Sequence, residues 1–157
     1  MSGEVHAFTA APGATVVDAP ASQAHRSRRD GLRLTLHVLA ASIWVGGQIV
    51  LMGLVGPSRA FGPDGPKALA RAFARLAWPG YAVLVITGFW NLSTFHWAAQ
   101  SDAWKTVLIV KIVVVVAAGA GALFHGRATT RTGLAVWGSV SGLASVAALT
   151  LGVLLAG

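Results

Sequence analysis

The chain has no cysteine. Disulfides, thiolate zinc or iron–sulfur sites and cysteine nucleophiles are therefore excluded. Charge is scarce: 12 basic and 5 acidic residues make up 11 % of 157 positions, where a soluble domain carries about 25 %. Strand-like alternation of polar and apolar residues is also missing, which argues against a membrane barrel. Apolar residues are what the chain has in quantity: 55 % are hydrophobic, before 19 glycines are added. A soluble domain of this size cannot hide so much apolar surface. Composition thus excludes an ordinary cytosolic enzyme, a disordered chain and a nucleic-acid-binding domain, and makes lipid the expected solvent. The net charge of +7 fits basic residues gathered at loops and headgroups.

Residues 1–31 are rich in Ala, Ser, Pro, Gly and Thr, show no period, and end in Arg26, Arg28 and Arg29. They are expected to form a disordered, basic-ended tail without a signal-peptide core. Residues 32–157 hold four apolar runs, at about 32–55, 78–95, 104–125 and 133–156. Crossing a bilayer takes about 20 apolar residues in a helix, so the expected fold is all-α, an integral membrane four-transmembrane-helix bundle. Gly56-Pro57 and Gly62-Pro63-Asp64-Gly65-Pro66 are expected to end the first helix. An amphipathic interfacial segment is expected over 67–76, with Lys67, Arg71 and Arg75 on one face. Ser101 or Asp102 should cap the third helix. The basic residues divide five against six between the two sides, which assigns no orientation.

Polar groups in lipid are costly, so each one is a candidate site residue. At 100° per residue, His37, Trp44 and Gln48 fall within roughly 20° of one direction on the first helix. His37 either bonds a neighbouring helix or serves as a ligand or proton carrier. Thr87, Asn91 and Thr94 share a face of the second helix, for interhelical hydrogen bonds or for a substrate. Lys111 lies about 10 Å inside the third helix, with no carboxylate in any predicted helix core. It snorkels, pairs with backbone carbonyls or Asp102, or meets an anion from outside the protein, such as a haem or porphyrin propionate. His96 and His125 read as interfacial. In the fourth helix Gly138, Ser141, Gly142 and Ser145 form a small face, expected to pack against a neighbouring helix or a second protomer.

The segment LHVLAASIWVGGQIVL, Leu36 to Leu51, resembles the first helix of the CopD (copper resistance protein D) family, through His37, Trp44, Gly46 and Gly47. Residues Arg71 to Asn91, with Thr87-Gly88, are similar to that family's second helix, and Trp104 to Val116, with Lys111, to its third. The resemblance implies copper transport or resistance at the plasma (inner) membrane. A copper path would use His37 and His96, with His6 or His25 of the tail. More distantly the chain is similar to HemJ-type protoporphyrinogen oxidases, which have a His and a Lys in their helices. That implies haem b or porphyrin binding, and an oxidase activity. A ligand-free accessory subunit is the plain alternative. The expected partners are the bilayer, a second copy, or another membrane or periplasmic copper protein, and no nucleic acid.

Depth follows from helix rise. His37 lies about 7 Å, Lys111 about 10 Å and Asn91 about 6 Å from the tail-side edge, whereas His125 lies at the opposite edge. A site is therefore expected around His37 and Lys111, lined by Trp44, Gln48 and Asn91, with His96 as the second metal ligand and His125 excluded.

Overall fold

The computed structural model describes residues 19–94 and 96–156. Apart from short turns they are helical, with no strand among the described residues. Four helical stretches are long and apolar enough to cross a membrane: His25–Phe61, Gly65–Ser93, Asp102–Arg127 and Arg131–Ala156. The protein is thus an all-α bundle of four candidate spans, as the composition implies.

The chain divides into two compact units, residues 1–32 and 33–157. In the first, residues 1–18 lie outside the described residues, and so does the expectation of disorder there. From Ala19 onward the backbone is helical, as the start of α1 (Ala19–Ala41), which corrects the reading of 19–31 as disordered. The physical reason is that Ala, Ser, Gln and Arg have ample helix propensity once a helix is running.

In the second unit α1 passes through a π-helical turn, Ser42–Gly46, into α2 (Gly47–Ser58). Gly56-Pro57 does not end this span. Pro57 stays inside the helix, the Ser58 hydroxyl donates to the Val55 carbonyl at 2.8 Å, and a 3₁₀ turn continues to Phe61. The break falls at Gly62, whose φ of +99° only glycine adopts readily. Next, α3 (Gly65–Ser93) runs unbroken through the stretch expected to be a separate interfacial segment. Pro66 near its start suits a first turn. Its internal Pro79 is of a kind that membrane helices tolerate.

A 3₁₀ turn, Trp97–Ala99, leads to α4 (Asp102–Arg127). Ser101 is its cap, accepting the Trp104 amide at 3.2 Å, while Asp102 sits in the first turn and pairs with Lys105 at 3.3 Å. The last helix is α5 (Arg131–Ala156).

Helices α4 and α5 form the tightest pair, an antiparallel hairpin. A Cβ on Gly121 would lie 2.8 Å from the Ser141 backbone nitrogen, and one on Gly138 would lie 3.0 Å from the His125 ring. The His125 Nδ1 also bonds the Leu134 carbonyl at 2.9 Å. This histidine therefore fastens the far end of the hairpin. Gly138, Ser141 and Ser145 do face the bundle, but Gly142 does not. A Cβ there meets open space, because residue 142 is rotated about 100° from 141. Within the chain the small face that packs is thus Gly138, Ser141 and Ser145, with Gly142 on the open side.

Close approach at Gly121 and free space at Gly142 predict opposite outcomes. Gly121→Leu should lower bundle stability by about 1–3 kcal/mol through overpacking. Gly142→Leu should change it by less than about 0.5 kcal/mol. Thermal unfolding in mild detergent, followed by circular dichroism, distinguishes the two.

Candidate functional site

The predicted polar stripe of the first span separates into two clusters. His37 turns to α3, where its Nδ1 lies 2.8 Å from the Thr87 hydroxyl. Trp44 and Gln48 turn to α5, donating to the Ser145 hydroxyl at 2.9 and 3.1 Å. The π-helical turn Ser42–Gly46 holds Trp44 itself, and its wider loop takes about one residue more per turn. Trp44 meets α3, through Trp78 and Tyr81, as well as α5, so His37, Trp44 and Gln48 all face other helices of the bundle.

In the mid-bundle cluster Ser145 is saturated, whereas the buried Ser141 hydroxyl has no partner among the described residues. Ser145 accepts from Trp44 and Gln48 and donates to the Ser141 carbonyl at 2.7 Å. The Trp44 ring stacks within a group of three, 4.6 Å from Tyr81 and 5.9 Å from Trp78. The Tyr81 hydroxyl in turn donates to the Val115 carbonyl at 2.8 Å. A side chain at Gly119 would collide with the Tyr81 hydroxyl. Trp44, Gln48 and Ser145 thus join the first span to the last, and Tyr81 joins α3 to α4.

His37 sits differently. The Thr87 hydroxyl lies 2.7 Å from the Val83 carbonyl, an acceptor that can only receive its proton. Thr87 has one proton to give; with it on Val83, its oxygen accepts from His37 and Nδ1 is the protonated nitrogen. Nε2 is left with its lone pair and no protein partner among the described residues. That is the tautomer in which an imidazole serves as a metal ligand or proton acceptor.

Lys111 lies at the same level. From the Tyr81–Val115 crossing of antiparallel α3 and α4, Thr87 is six residues away, about 9 Å, and Lys111 is four residues away in the same direction, about 6 Å. The Lys111 ammonium rests against α5, where a Cβ on Gly152 would come within 3.0 Å of Nζ. It has no ionic or hydrogen-bonding partner among the described residues. His37 and Lys111, from α1 and α4, thus share one level.

The remaining predicted residues fall around this pair. Asn91 is half-buried one turn beyond Thr87, and its backbone carbonyl accepts from Thr94 at 2.8 Å. Thr94 in turn accepts from Arg33 at 3.1 Å. His96 is exposed in the turn before Trp97. From Thr87, which His37 meets, to the end of α3 is about 9 Å along the helix. No group of three or more His, Asp or Glu side chains converges among the described residues. His125 lies 14 residues along α4 from Lys111, about 21 Å, in keeping with its expected exclusion. His25 is exposed in the first unit, and His6 lies outside the described residues.

The sequence reading passed over Ser145 as a hydrogen-bonding residue, and with it Tyr81 and Gly152. Tyr81 had a usable signal, being the only tyrosine of the chain and set inside an apolar run. Gly152 had none, since only the fold sets a lysine against it.

Comparison with family models, with curated proteins and with solved structures yields no match to this chain.

The Trp44–Ser145 bond is open to direct measurement. A double-mutant cycle of Trp44→Phe and Ser145→Ala should give a coupling energy of roughly 0.5–2 kcal/mol, the range of intramembrane hydrogen bonds. Unfolding in detergent provides the four stabilities, and a coupling near zero would show that the bond is not formed.

Proposed function

We propose that this chain is a multi-pass plasma-membrane protein of CopD type that binds haem b or a related porphyrin at His37 and Lys111. The carrying observation is an imidazole with a free Nε2 at the same level as an ammonium with no protein anion. A metalloporphyrin asks the protein for a base toward its metal and a cation for its carboxylates. His37 would supply the base and Lys111 the cation. The bound group would bring redox or light-absorbing chemistry. The chain's own residues orient the imidazole and neutralise the acid.

Copper handling is the second reading, favoured by the same free Nε2. It asks more of the chain. Cu(I) prefers thiolate and thioether donors. There is no cysteine, and Met52 points outward, 71 % exposed. His37 would need a donor from a partner or a second copy. The CopD resemblance that supports this reading rests on the short motifs of the first three spans.

The test is a visible spectrum and a metal analysis of the protein purified in mild detergent. A Soret band is expected, lost in His37→Ala and weakened or lost in Lys111→Ala, with His125→Ala unchanged. Copper without a Soret band would replace the first reading with the second. The absence of both would leave a ligand-free accessory subunit.

A further inference from the structure

From the His37–Thr87–Val83 chain of hydrogen bonds we infer that Thr87 is a positioning residue, one that keeps His37 Nε2 as a permanent lone pair. It thereby restricts the site to an electron-poor centre, meaning a metal ion, a porphyrin iron or a donated proton.

A free neutral imidazole exchanges its proton between two nitrogens, and either can face a ligand. In water the cost of either choice is small. Within a span it is set by what the other nitrogen meets. Here the Thr87 oxygen stands 2.8 Å from Nδ1, and its own proton is directed to Val83 at 2.7 Å, with the Leu84 carbonyl a longer alternative at 3.2 Å. Two of the three possible recipients of the threonine proton are carbonyls of the preceding turn of α3, and the third is Nδ1 itself, with the Val83 carbonyl the shortest at 2.7 Å. Neither carbonyl can donate back, so with its proton on Val83 the hydroxyl keeps an acceptor site aimed at the ring. A proton on Nε2 instead of Nδ1 would set two lone pairs, those of Nδ1 and of Thr87, against each other, unless the hydroxyl gave up its bonds within α3. Thr87 is 3 % exposed, which removes water as a substitute partner.

The ring is also held sideways. A Cβ on Gly88 would be 3.6 Å from His37 Cε1, ordinary contact distance, so the imidazole lies along the Thr87-Gly88 edge of α3. Oriented in this way, Nε2 cannot donate a hydrogen bond. A ligand offering only acceptor atoms, such as a bare carboxylate or carbonyl, finds no donor at His37 and is left to Lys111. The two groups are therefore not interchangeable: one takes the electrophile and the other the anion. This assignment deepens the haem reading, resting on it only for the identity of the electrophile.

The experiment is nitrogen NMR on the full chain labelled with ¹⁵N-histidine. The protein is treated with chelator, reconstituted in phosphatidylcholine liposomes and held at about pH 8, above the ordinary imidazole value of about 6.5. The His37 signals are identified by their loss in His37→Gln. The aprotic nitrogen is expected to be Nε2 in the parent protein and in Thr87→Ser, which keeps the hydroxyl. In Thr87→Val, which keeps the shape, it is expected to shift to Nδ1 or to a mixture of the two. A second readout is zinc binding as a bare-metal probe. Its affinity at His37 should fall about 10- to 100-fold in Thr87→Val and recover in Thr87→Ser, as for other residues that orient a ligating histidine. A protonated Nε2 in the parent protein, or a tautomer unchanged in Thr87→Val, overturns the inference. The tautomer result does not depend on finding haem. A fixed Nε2 lone pair without a Soret band would sink the haem reading alone, and a Soret band with the wrong tautomer would sink only the role of Thr87.

Discussion

Lipid does not accept or donate hydrogen bonds, and that constraint organises the whole bundle. Each polar side chain in a span must be answered by another helix or by its own backbone. Thr87 turns its proton to Val83 and its lone pair to His37. Ser145 receives two donors from the first span and passes its proton to Ser141. Tyr81 reaches a backbone carbonyl of α4. The helices are otherwise apolar rods with little reason to choose one rotation over another. These few bonds set which face of each helix is inside, and Gly119 and Gly121 permit the close approach that the bonds require.

Two groups depart from this rule among the described residues: the buried Ser141 hydroxyl, which has no hydrogen-bond partner, and Lys111, which gives the bundle a chemical character. Its neighbours at the same level are an imidazole, a threonine and a glycine, and none of them offers negative charge. Elsewhere in the second unit, acids sit beside bases: Asp64 with Lys67 at 3.8 Å and Asp102 with Lys105 at 3.3 Å, both at helix starts. Such exposed pairs contribute little to stability. An ammonium within a span and without an acid is a different matter. Its stabilisation has to come from outside the chain or from the interface, and the single imidazole nearby makes a ligand with both a Lewis-acidic and an anionic end the best match.

Much of this was legible beforehand, for identifiable reasons. The four spans follow from hydropathy alone, because the bilayer sets their length. Ser101 as a cap follows from local backbone chemistry, and the opposite placing of Lys111 and His125 from helix rise. Boundaries were less legible. Pro57 read as a break yet lies within a helix, and the amphipathic Lys67–Arg75 stretch is continuous with the second span. The residues His37, Trp44 and Gln48 all meet neighbouring helices, but which helix each one meets, and the π-helical turn over Ser42–Gly46, no residue in that stretch announces. Of the small residues expected on one face of the last span, Gly138, Ser141 and Ser145 pack within the chain and Gly142 turns to open space. The pairing of Trp44 with Ser145 spans 101 residues of sequence, a distance no local pattern encodes.

That long separation bears on how the protein is made. Translation delivers the first span to the membrane well before α5 exists. The Trp44 and Gln48 donors enter lipid with their eventual acceptor still unsynthesised, about 100 residues away. Until Ser145 arrives, the early span must keep these donors near water, near the translocation machinery, or against a temporary partner. The α4–α5 hairpin, joined by a short turn and packed through Gly121 and Ser141, has no such delay and can close on itself as soon as it is inserted. Biogenesis therefore runs opposite to the chain order in one respect: the last hairpin to be synthesised is the first to be self-sufficient, and it completes the helix that entered first.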